Sequence, residues 1–209
     1  MSITLKIESH NPDSVTLLKI IEFIDAGKTI AFPTETFYAV GVSAYNEEAL
    51  KKVFVIKGRD FTKPLPLLIE GEAMLKEVVS EIPATAFPLM QEFWPGGLTL
   101  IFRASPRIPA LVTARTGTIA VRNPSHALAR TLVRSARCPL TATSANLSGH
   151  KSCASADEVE ESIGNAVDLI IDGGHTEGLL PSTIVDLTST PPAITREGII
   201  SYKRLKPFL

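Results

Sequence analysis

The stretch TIAVRNPSHALARTLVRSARCPLTATSANLSG, residues 118–149, contains each kind of element that decides the fold. Its apolar segment 118–121 predicts a β-strand, and the polar residues 122–126 follow at once. Leu128, Leu132 and Val133 then recur at helical spacing, which predicts an amphipathic helix over residues 125–136. A second strand, over 140–143, leads into a loop of small residues, 144–149. Strand, polar loop, helix and strand in this order predict an α/β domain.

The segments on both sides of this stretch continue the mixture of helices and strands. Capping residues and apolar spacing predict further helices over 12–26, 46–58, 72–79, 84–93 and 157–163. Short apolar runs predict further strands over 29–32, 65–69, 98–102, 169–171, 183–187 and 193–196. The elements do not follow a strict βαβ rhythm, so we expect a mixed sheet. Because the sequence contains no repeat and no linker, we expect a single domain over residues 1–209.

The composition excludes several classes of protein. The chain has 209 residues, of which 44% are hydrophobic and 21% charged, which excludes a disordered, collagenous or coiled-coil protein. Two cysteines, Cys138 and Cys153, cannot form a disulfide framework, and no apolar run is long enough to span a membrane. The first six residues lack the organisation of a signal peptide. We therefore expect a cytoplasmic protein without a membrane partner.

The net charge of −1 hides a strong segregation of charge along the chain. Residues 93–156 contain eight basic residues and no Asp or Glu, which gives +8. The remaining 13 basic and 22 acidic residues give −9. This pattern favours an anionic partner for the middle of the chain, although a single arginine is more often only a solvated surface residue.

The sequence contains none of the common catalytic motifs. Walker A, GxGxxG and HExxH patterns are absent, and the cysteines and histidines lack metal-ligand spacing, so no metal held by protein side chains is expected. Ser144 follows a strand, but the glycines that shape a nucleophile elbow are missing. Lys57, Arg59 and Lys63 place three cations within seven residues, close to polar loops at strand ends. A basic helix C-terminus would also explain Lys57. The residues themselves predict an anion or nucleotide site and nothing finer.

An ordered series of motifs carries a family resemblance. The segments are FPTETFY (32–38), KGR (57–59), KPL (63–65), WPG (94–96), LTLI (98–101), AVRNPSH (120–126), TSANLSG (143–149), STIVD (182–186) and REG (196–198). Together they resemble the YrdC-like family, the threonylcarbamoyl-adenylate synthases of tRNA modification, over nearly the whole chain. The resemblance implies a three-layer α/β fold with a twisted mixed sheet and a concave basic surface.

The resemblance also implies a reaction and its partners. Members of the family join L-threonine, bicarbonate and ATP into threonylcarbamoyl-AMP and pyrophosphate. A transfer complex then passes the threonylcarbamoyl group to adenosine 37 of tRNA. Mg²⁺ would accompany the phosphates of ATP and would not need a protein cage.

The site residues follow from the resemblance position by position. Lys57 and Arg59 match the KxR pair of the family and are expected to be catalytic and to contact ATP. The other expected ATP-binding positions are Lys63, Thr118, Ser144, Asn146, Ser152 and Arg196. The positions expected around L-threonine are Thr36, Arg122 and Ser182, with Arg122 suited to the carboxylate.

Three positions depart from the family pattern. Ala39 stands where many members have Gly, Asp60 replaces a usual Pro, and Leu68 lies near a position where many members have His. Such substitutions are of the kind that mark a diverged paralogue. Longer members carry an extra C-terminal domain, which we expect this chain to lack.

Two other functions are also compatible with the sequence. One is a non-catalytic YrdC-like paralogue that binds double-stranded or structured RNA. The scarcity of aromatic residues over 93–156 favours a nucleotide over single-stranded RNA. The other is a carbamoyl-adenylate enzyme acting on carbamoyl phosphate, as in hydrogenase maturation, although such homologues are usually embedded in longer chains.

Overall fold

The computed structural model describes residues 2–10, 12–177 and 179–209. The helices are α1 (Ser14–Asp25), α2 (Glu47–Lys57), α3 (Gly71–Val78), α4 (Ala86–Phe93), α5 (Ala110–Thr113), α6 (Ala127–Ala136), α7 (Ala156–Ile163) and α8 (Tyr202–Leu205), followed by a 3-10 turn, Lys206–Phe208. The strands are β1 (Ile3–Lys6), β2 (Ile30–Pro33), β3 (Tyr38–Gly41), β4 (Leu67–Leu68), β5 (Leu98–Arg103), β6 (Thr118–Arg122), β7 (Leu140–Thr141), β8 (Thr143–Ser144), β9 (Leu169–Asp172), β10 (Thr183–Asp186) and β11 (Ala193–Arg196).

These strands form two mixed sheets that meet at one segment of the chain. Sheet A has the strand order β1-β9-β2-β3-β8, and sheet B has the order β11-β10-β5-β6-β4-β7. Within the segment 140–144, β7 pairs with β4 of sheet B and β8 pairs with β3 of sheet A. Between them, the N–H of Ala142 donates to the carbonyl of Pro66 at 2.9 Å. The predicted mixed pairing is confirmed, but it is distributed over two sheets.

Sheet A is covered by helices on both of its faces. Successive side chains of a strand point to opposite faces. Ala31 and Tyr38 accordingly belong to the cluster that contains residues of α2 and α7, whereas Ile30 and Phe32 belong to the cluster of α1 and α6. Because β2 and β3 are buried on both faces, their side chains are almost all apolar. The predicted three-layer α/β arrangement is confirmed here.

Sheet B has one face in the core and one face that remains open. Leu98, Leu100 and Phe102 of β5 are buried in the large hydrophobic cluster. Thr99 and Ile101, which alternate with them, point to the other face and line a cleft. The alternation of side chains along β5 therefore places Thr99 and Ile101 on the face of sheet B that is available to a ligand.

The boundaries of the elements differ from the predicted ones at a few places. The predicted strand 65–69 shortens to Leu67–Leu68, and the predicted strand 140–143 is divided at Ala142, where the chain passes from one sheet to the other. The predicted helix 125–136 begins at Ala127, because His126 still has extended backbone angles. Strand β3 was not predicted, since the alanine and glycine of YAVG are poor strand formers. No helix among the described residues is both long and apolar enough to cross a membrane.

Candidate active site

A cleft of about 360 Å³ lies between the open face of sheet B and the ends of β2, β3 and β8 in sheet A. Its basic side chains are Arg59, Arg122 and Arg196. Its hydroxyl-bearing residues include Thr34, Thr36, Thr99, Thr143, Ser144, Ser152 and Ser182. Its apolar residues include Ala39, Leu68, Ile101, Ala120 and Ile184. Strand ends and strand-end loops supply most of this surface, as expected for an α/β protein.

The structure brings most of the predicted site residues together. Those that line the cleft are Thr36, Arg59, Arg122, Ser144, Ser152, Ser182 and Arg196. The predicted residues that do not line it are Lys57, Lys63, Thr118 and Asn146. Lys63 is exposed, and the hydroxyl of Thr118 lies 3.0 Å from that of Thr116 at the start of β6. The ligand contacts assigned to these residues stay predictions.

Arg122 is a buried cation held by a carboxylate that sequence reasoning did not single out. Only 7% of Arg122 is exposed, and its Nη1 lies 3.2 Å from Oε1 of Glu35. The same nitrogen donates to Oγ1 of Thr36 at 3.1 Å. Oε2 of Glu35 accepts from the N–H of His126 at 3.4 Å, immediately before α6. Glu35 therefore joins the loop after β2 to the loop after β6 and orients Arg122 between them.

The polar loop after β2 has a fixed shape. Oγ1 of Thr34 donates to the carbonyl of Phe37 at 2.7 Å and accepts from the N–H of Thr36 at 3.2 Å. The hydroxyls of Thr34 and Thr36 lie 3.0 Å apart. A threonine that bonds to the main chain two or three residues away is a common way to stabilise a tight turn. The hydroxyl of Thr36 is thus presented to Arg122 by its own loop.

Arg196 is held at the exposed rim of the cleft by Ser182. Its Nε and Nη2 both donate to the carbonyl of Ser182, at 3.0 and 2.8 Å, and Nη2 also donates to Oγ of Ser182 at 2.9 Å. The hydroxyl of Ser182 lies 2.8 Å from that of Thr99. Desolvation, together with the positive charge of Arg122, lowers the pKa of Arg196. An arginine remains protonated under such conditions, so the rim keeps its charge.

Arg59 faces the cleft from the end of α2. Its Nη2 donates to the carbonyl of Pro64 at 2.8 Å and its Nε to the carbonyl of Lys63 at 3.3 Å. Desolvation lowers the pKa of the Arg59 guanidinium. Gly58, with a φ of 54°, ends α2 in the left-handed conformation, which a glycine adopts without steric strain. This sharp turn separates Arg59, at the cleft, from Lys57, in the interior.

Lys57 and Asn146 form a buried polar cluster behind the cleft. Only 2% of Lys57 is exposed, and its Nζ donates to the carbonyl of Ser144, to the carbonyl of Asn146 at 2.6 Å and to Oδ1 of Asn146 at 3.4 Å. Burial, followed by the positive charge of Arg59, lowers the pKa of Lys57 to about 8, and the Cys153 thiol opposes this shift. Lys57 therefore contacts the 144–149 loop.

The three departures from the family pattern occupy different surroundings. Ala39 and Leu68 are buried and contribute apolar surface to the cleft. Asp60 is exposed and does not line the cleft. Its Oδ1 accepts from the N–H of Thr62 at 2.8 Å, and this bond lowers the pKa of Asp60. The carboxylate of Asp60 thus bonds within its own turn.

The charge segregation in the sequence is largely compensated by ion pairs in the fold. Of the eight basic residues in 93–156, all of which the structure describes, only Arg122 lines the cleft. Several others pair with carboxylates from outside that segment: Arg103 with Glu81, Arg130 and Arg134 with Glu70, and Lys151 with Glu158. Most of the basic residues in 93–156 therefore lie outside the cleft, as expected for individual arginines. The concave basic surface stays a prediction.

The donor set of the cleft bears on the expected Mg²⁺. Within the described residues, no group of three or more His, Cys, Asp or Glu side chains is arranged to hold a metal ion. The residues that line the cleft include hydroxyls and arginines but no carboxylate. Mg²⁺ is usually bound through carboxylates and substrate phosphates. The cleft residues do not fit a protein-held Mg²⁺, and only phosphates of a nucleotide would supply its ligands here.

Comparison with known proteins identifies the family. The family profile Sua5_yciO_yrdC, described as "Telomere recombination", matches residues 22–198. The chain belongs to this family. Its fold is also that of two solved members. The structure of Sua5 from P. abyssi complexed with L-threonine matches with a TM-score of 0.95 and 36% identity, covering 100% of this chain and 61% of that one. The structure of E. coli YciO matches with a TM-score of 0.90 and 29% identity, covering 100% of this chain and 100% of that one.

A curated relative within the family carries an enzyme name. The threonylcarbamoyl-AMP synthase of Pyrococcus abyssi (strain GE5 / Orsay) is 42% identical over 184 residues, which cover 88% of this chain and 54% of the relative. The chain thus spans about half the length of that Sua5-family synthase. The resemblance found in the motifs is confirmed, and the cleft is the place in this family fold where the predicted residues converge.

Proposed function

We propose that the chain makes L-threonylcarbamoyl-AMP from L-threonine, bicarbonate and ATP, with pyrophosphate as the second product. The observation that carries the proposal is the single cleft that collects Arg59, Arg122 and Arg196 among serine and threonine hydroxyls. A triphosphate, a bicarbonate and an amino-acid carboxylate are all anionic, and guanidinium groups suit planar carboxylates and phosphates. Similarity to the P. abyssi synthase and to Sua5 complexed with L-threonine supports the same substrates.

The two halves of the cleft suit different substrates. Arg122, with the hydroxyl of Thr36 at 3.1 Å, offers a charged and a neutral hydrogen-bonding group to the threonine carboxylate, and Ser182 also lines the cleft. The nucleotide would occupy the side formed by Arg59, Ser144, Ser152 and Arg196. In this arrangement the amino acid lies over β6 and the phosphates lie toward the end of α2.

The proposed chemistry needs positioning and charge stabilisation. The amine nitrogen of threonine bonds to the carbon of bicarbonate, and water leaves, which gives a carbamate. A carbamate oxygen then attacks the α-phosphorus, and the bond to the bridging oxygen breaks as pyrophosphate leaves with the electron pair. The developing negative charge is stabilised by guanidinium groups that are already fixed in the cleft. Holding a short-lived carbamate against ATP is mainly a task of orientation.

The surroundings of Ser144 support a mechanism without a covalent enzyme intermediate. The Ser144 hydroxyl belongs to the cleft lining, which among the described residues contains no histidine and no carboxylate of the kind that activates a serine nucleophile. We therefore assign Ser144 to binding. Trapping of a covalent adduct on Ser144 during turnover would contradict this mechanism.

The product suggests the partners of the reaction. A carbamoyl adenylate is a mixed anhydride that water can hydrolyse, so a transfer complex acting on adenosine 37 of tRNA would have to take it up promptly. We include tRNA and this complex among the proposed partners, in the cytoplasm, with Mg²⁺ bound only to ATP.

A pyrophosphate-release assay tests the proposal. The chain is incubated with ATP, Mg²⁺, bicarbonate and L-threonine, and each component is omitted in turn. Release that requires threonine and bicarbonate is the expected result. Arg59→Ala should abolish release, because it removes a cleft cation, whereas Lys51→Ala, on an exposed position of the same helix, should leave it unchanged. Absence of release together with salt-sensitive binding of structured RNA would contradict the proposal and favour the RNA-binding alternative.

A further inference from the structure

The ammonium of Lys57 is enclosed by oxygen atoms of one loop. Its three acceptors are the carbonyls of Ser144 and Asn146 and the Oδ1 of Asn146. An ammonium has three N–H donors and no acceptor. Every donor of Lys57 is therefore engaged, and a phosphate oxygen would have to displace one of these bonds. Lys57 is also 2% exposed and does not line the cleft.

The main chain of Lys57 binds the same loop a second time. Its carbonyl accepts from the N–H of Ser148 at 2.9 Å, so the end of α2 holds both the beginning and the end of the 144–149 loop. Asn146 braces the loop from within, because its Nδ2 donates to the carbonyl of His150 at 2.6 Å and to that of Leu147 at 3.0 Å. The one member of this set that reaches the cleft is Ser144.

We propose that Lys57 is a positioning residue whose ammonium holds the 144–149 loop in the shape that presents Ser144 to the cleft, and that Arg59 alone of the KxR pair contacts phosphate. The inference rests on the proposed function for its reference to ATP. It separates two neighbouring cations that the sequence pattern treats as one unit. Gly58 makes the separation possible, since the left-handed turn sends the two side chains in different directions.

The burial of Lys57, together with the nearby charge of Arg59, makes this loop sensitive to pH. The titratable groups that face it are the Arg59 guanidinium, from the turn after α2, and the Cys153 thiol, which follows the loop. Carbonyl oxygens are its only direct partners, so burial lowers the pKa to about 8. Above that pH the amine loses one donor, and one of the three bonds to the loop is lost. Between about 8 and the ordinary value of 10.5, the unfolded chain binds this proton more than the folded chain does. This group therefore favours folding more as the pH rises through that window, while its hold on the loop weakens.

Binding of ATP and of adenosine distinguishes positioning from phosphate contact. Calorimetry compares the two ligands in the wild type, in Lys57→Met and in Arg59→Met, with Lys51→Met as the exposed control. Arg59→Met should weaken ATP binding by about 10- to 100-fold, the range of a lost charge-assisted bond, and adenosine binding little. Lys57→Met should weaken both ligands by similar factors, because the loop itself is altered. A loss confined to ATP in Lys57→Met would overturn the proposal.

Two further measurements remain informative whatever the ligand proves to be. Without nucleotide, the amide of Ser148 should lose protection from hydrogen exchange in Lys57→Met and keep it in Lys51→Met. Unchanged protection in Lys57→Met would overturn the positioning role. In the wild type, ATP affinity should fall between pH 7 and pH 9.5, and in Lys57→Met it should be low and independent of pH over that range. A wild type that binds no ATP contradicts the proposed function, whereas the exchange measurement still tests the loop.

Discussion

Arg122 and Lys57 are both buried cations beside the cleft, but different kinds of partner stabilise them. Arg122 lies 3.2 Å from the carboxylate of Glu35, and it still lines the cleft. Lys57 has carbonyl and amide oxygens as its direct partners, and it is enclosed by them. The first cation has a counter-charge on one side and a ligand surface on the other. The second has its donors occupied by the loop that it supports.

The difference shows what decides whether a buried cation can serve a ligand. A guanidinium has five N–H donors in a planar fork, so Arg122 can bind Glu35 and Thr36 and retain donors for a substrate. An ammonium has only three, and the 144–149 loop uses all of them at Lys57. The choice of arginine at one position and lysine at the other therefore matches a binding role and a positioning role.

The largest effect is expected for Arg122→Met. The substitution leaves the carboxylate of Glu35, whose side chain is only 15% exposed, without its partner, and breaking a fully buried pair in this way costs about 3–5 kcal/mol, which is the upper bound here. Thermal unfolding should show this loss of stability at pH 7. The KM for L-threonine should rise at the same time, because the proposed partner of its carboxylate is removed.

A double-mutant cycle tests whether Glu35 is the cause. Glu35→Gln removes the charge and keeps the shape, so the double variant Arg122→Met/Glu35→Gln should be more stable than Arg122→Met alone. Threonine binding should not recover in the double variant. Equal stability of the single and double variants would mean that Glu35 does not hold Arg122, and the contrast with Lys57 would then lose its basis.

The sequence predicted the elements around the cleft better than the contacts within it. The helix over 46–58 was predicted from its caps, and the structure confirms both: Oδ1 of Asn46 accepts from the N–H of Ala49 at 3.0 Å, and Gly58 ends the helix. The strand over 98–102 was predicted from its apolar run. Such signals are local, so they survive in the folded chain.

The different roles of the residues within one motif could not be predicted, because these roles depend on contacts between distant segments. The KGR motif contains Lys57 and Arg59 without showing which side chain faces inward, since that is decided by the Ser144–Asn146 carbonyls, 87 and 89 residues further on. Glu35 lies in the FPTETFY segment, but its role depends on Arg122, which is distant in sequence. Arg122 is 86 residues from Thr36, the residue next to Glu35. A carboxylate inside a polar strand-end loop was the available signal.

An intermediate effect is expected for Arg196→Lys, at the rim of the cleft. Arg196 grips the carbonyl of Ser182 with two nitrogens, and a lysine cannot reproduce that fork. The positive charge remains, but one hydrogen bond to a neutral carbonyl, of about 1 kcal/mol, is lost. ATP affinity should therefore fall by about 3- to 10-fold, which is less than in Arg59→Met. Calorimetry with ATP measures the difference. A loss as large as that of Arg59→Met would show that the fork of Arg196, and not only its charge, is needed to bind phosphate.

The smallest effects are expected in the exposed turn that carries Asp60 and Lys63. Asp60→Asn and Lys63→Met remove opposite charges from residues that do not line the cleft, and exposed charges interact weakly through water. ATP affinity should change by less than about twofold in each variant, upward for Asp60→Asn and downward for Lys63→Met, and both changes should vanish at high salt. A large, salt-independent loss in Lys63→Met would show that its ammonium reaches the phosphates when ATP binds. An exposed lysine would then bind phosphate as effectively as the fixed guanidinium of Arg59. The number of free N–H donors would no longer explain which cations bind the ligand.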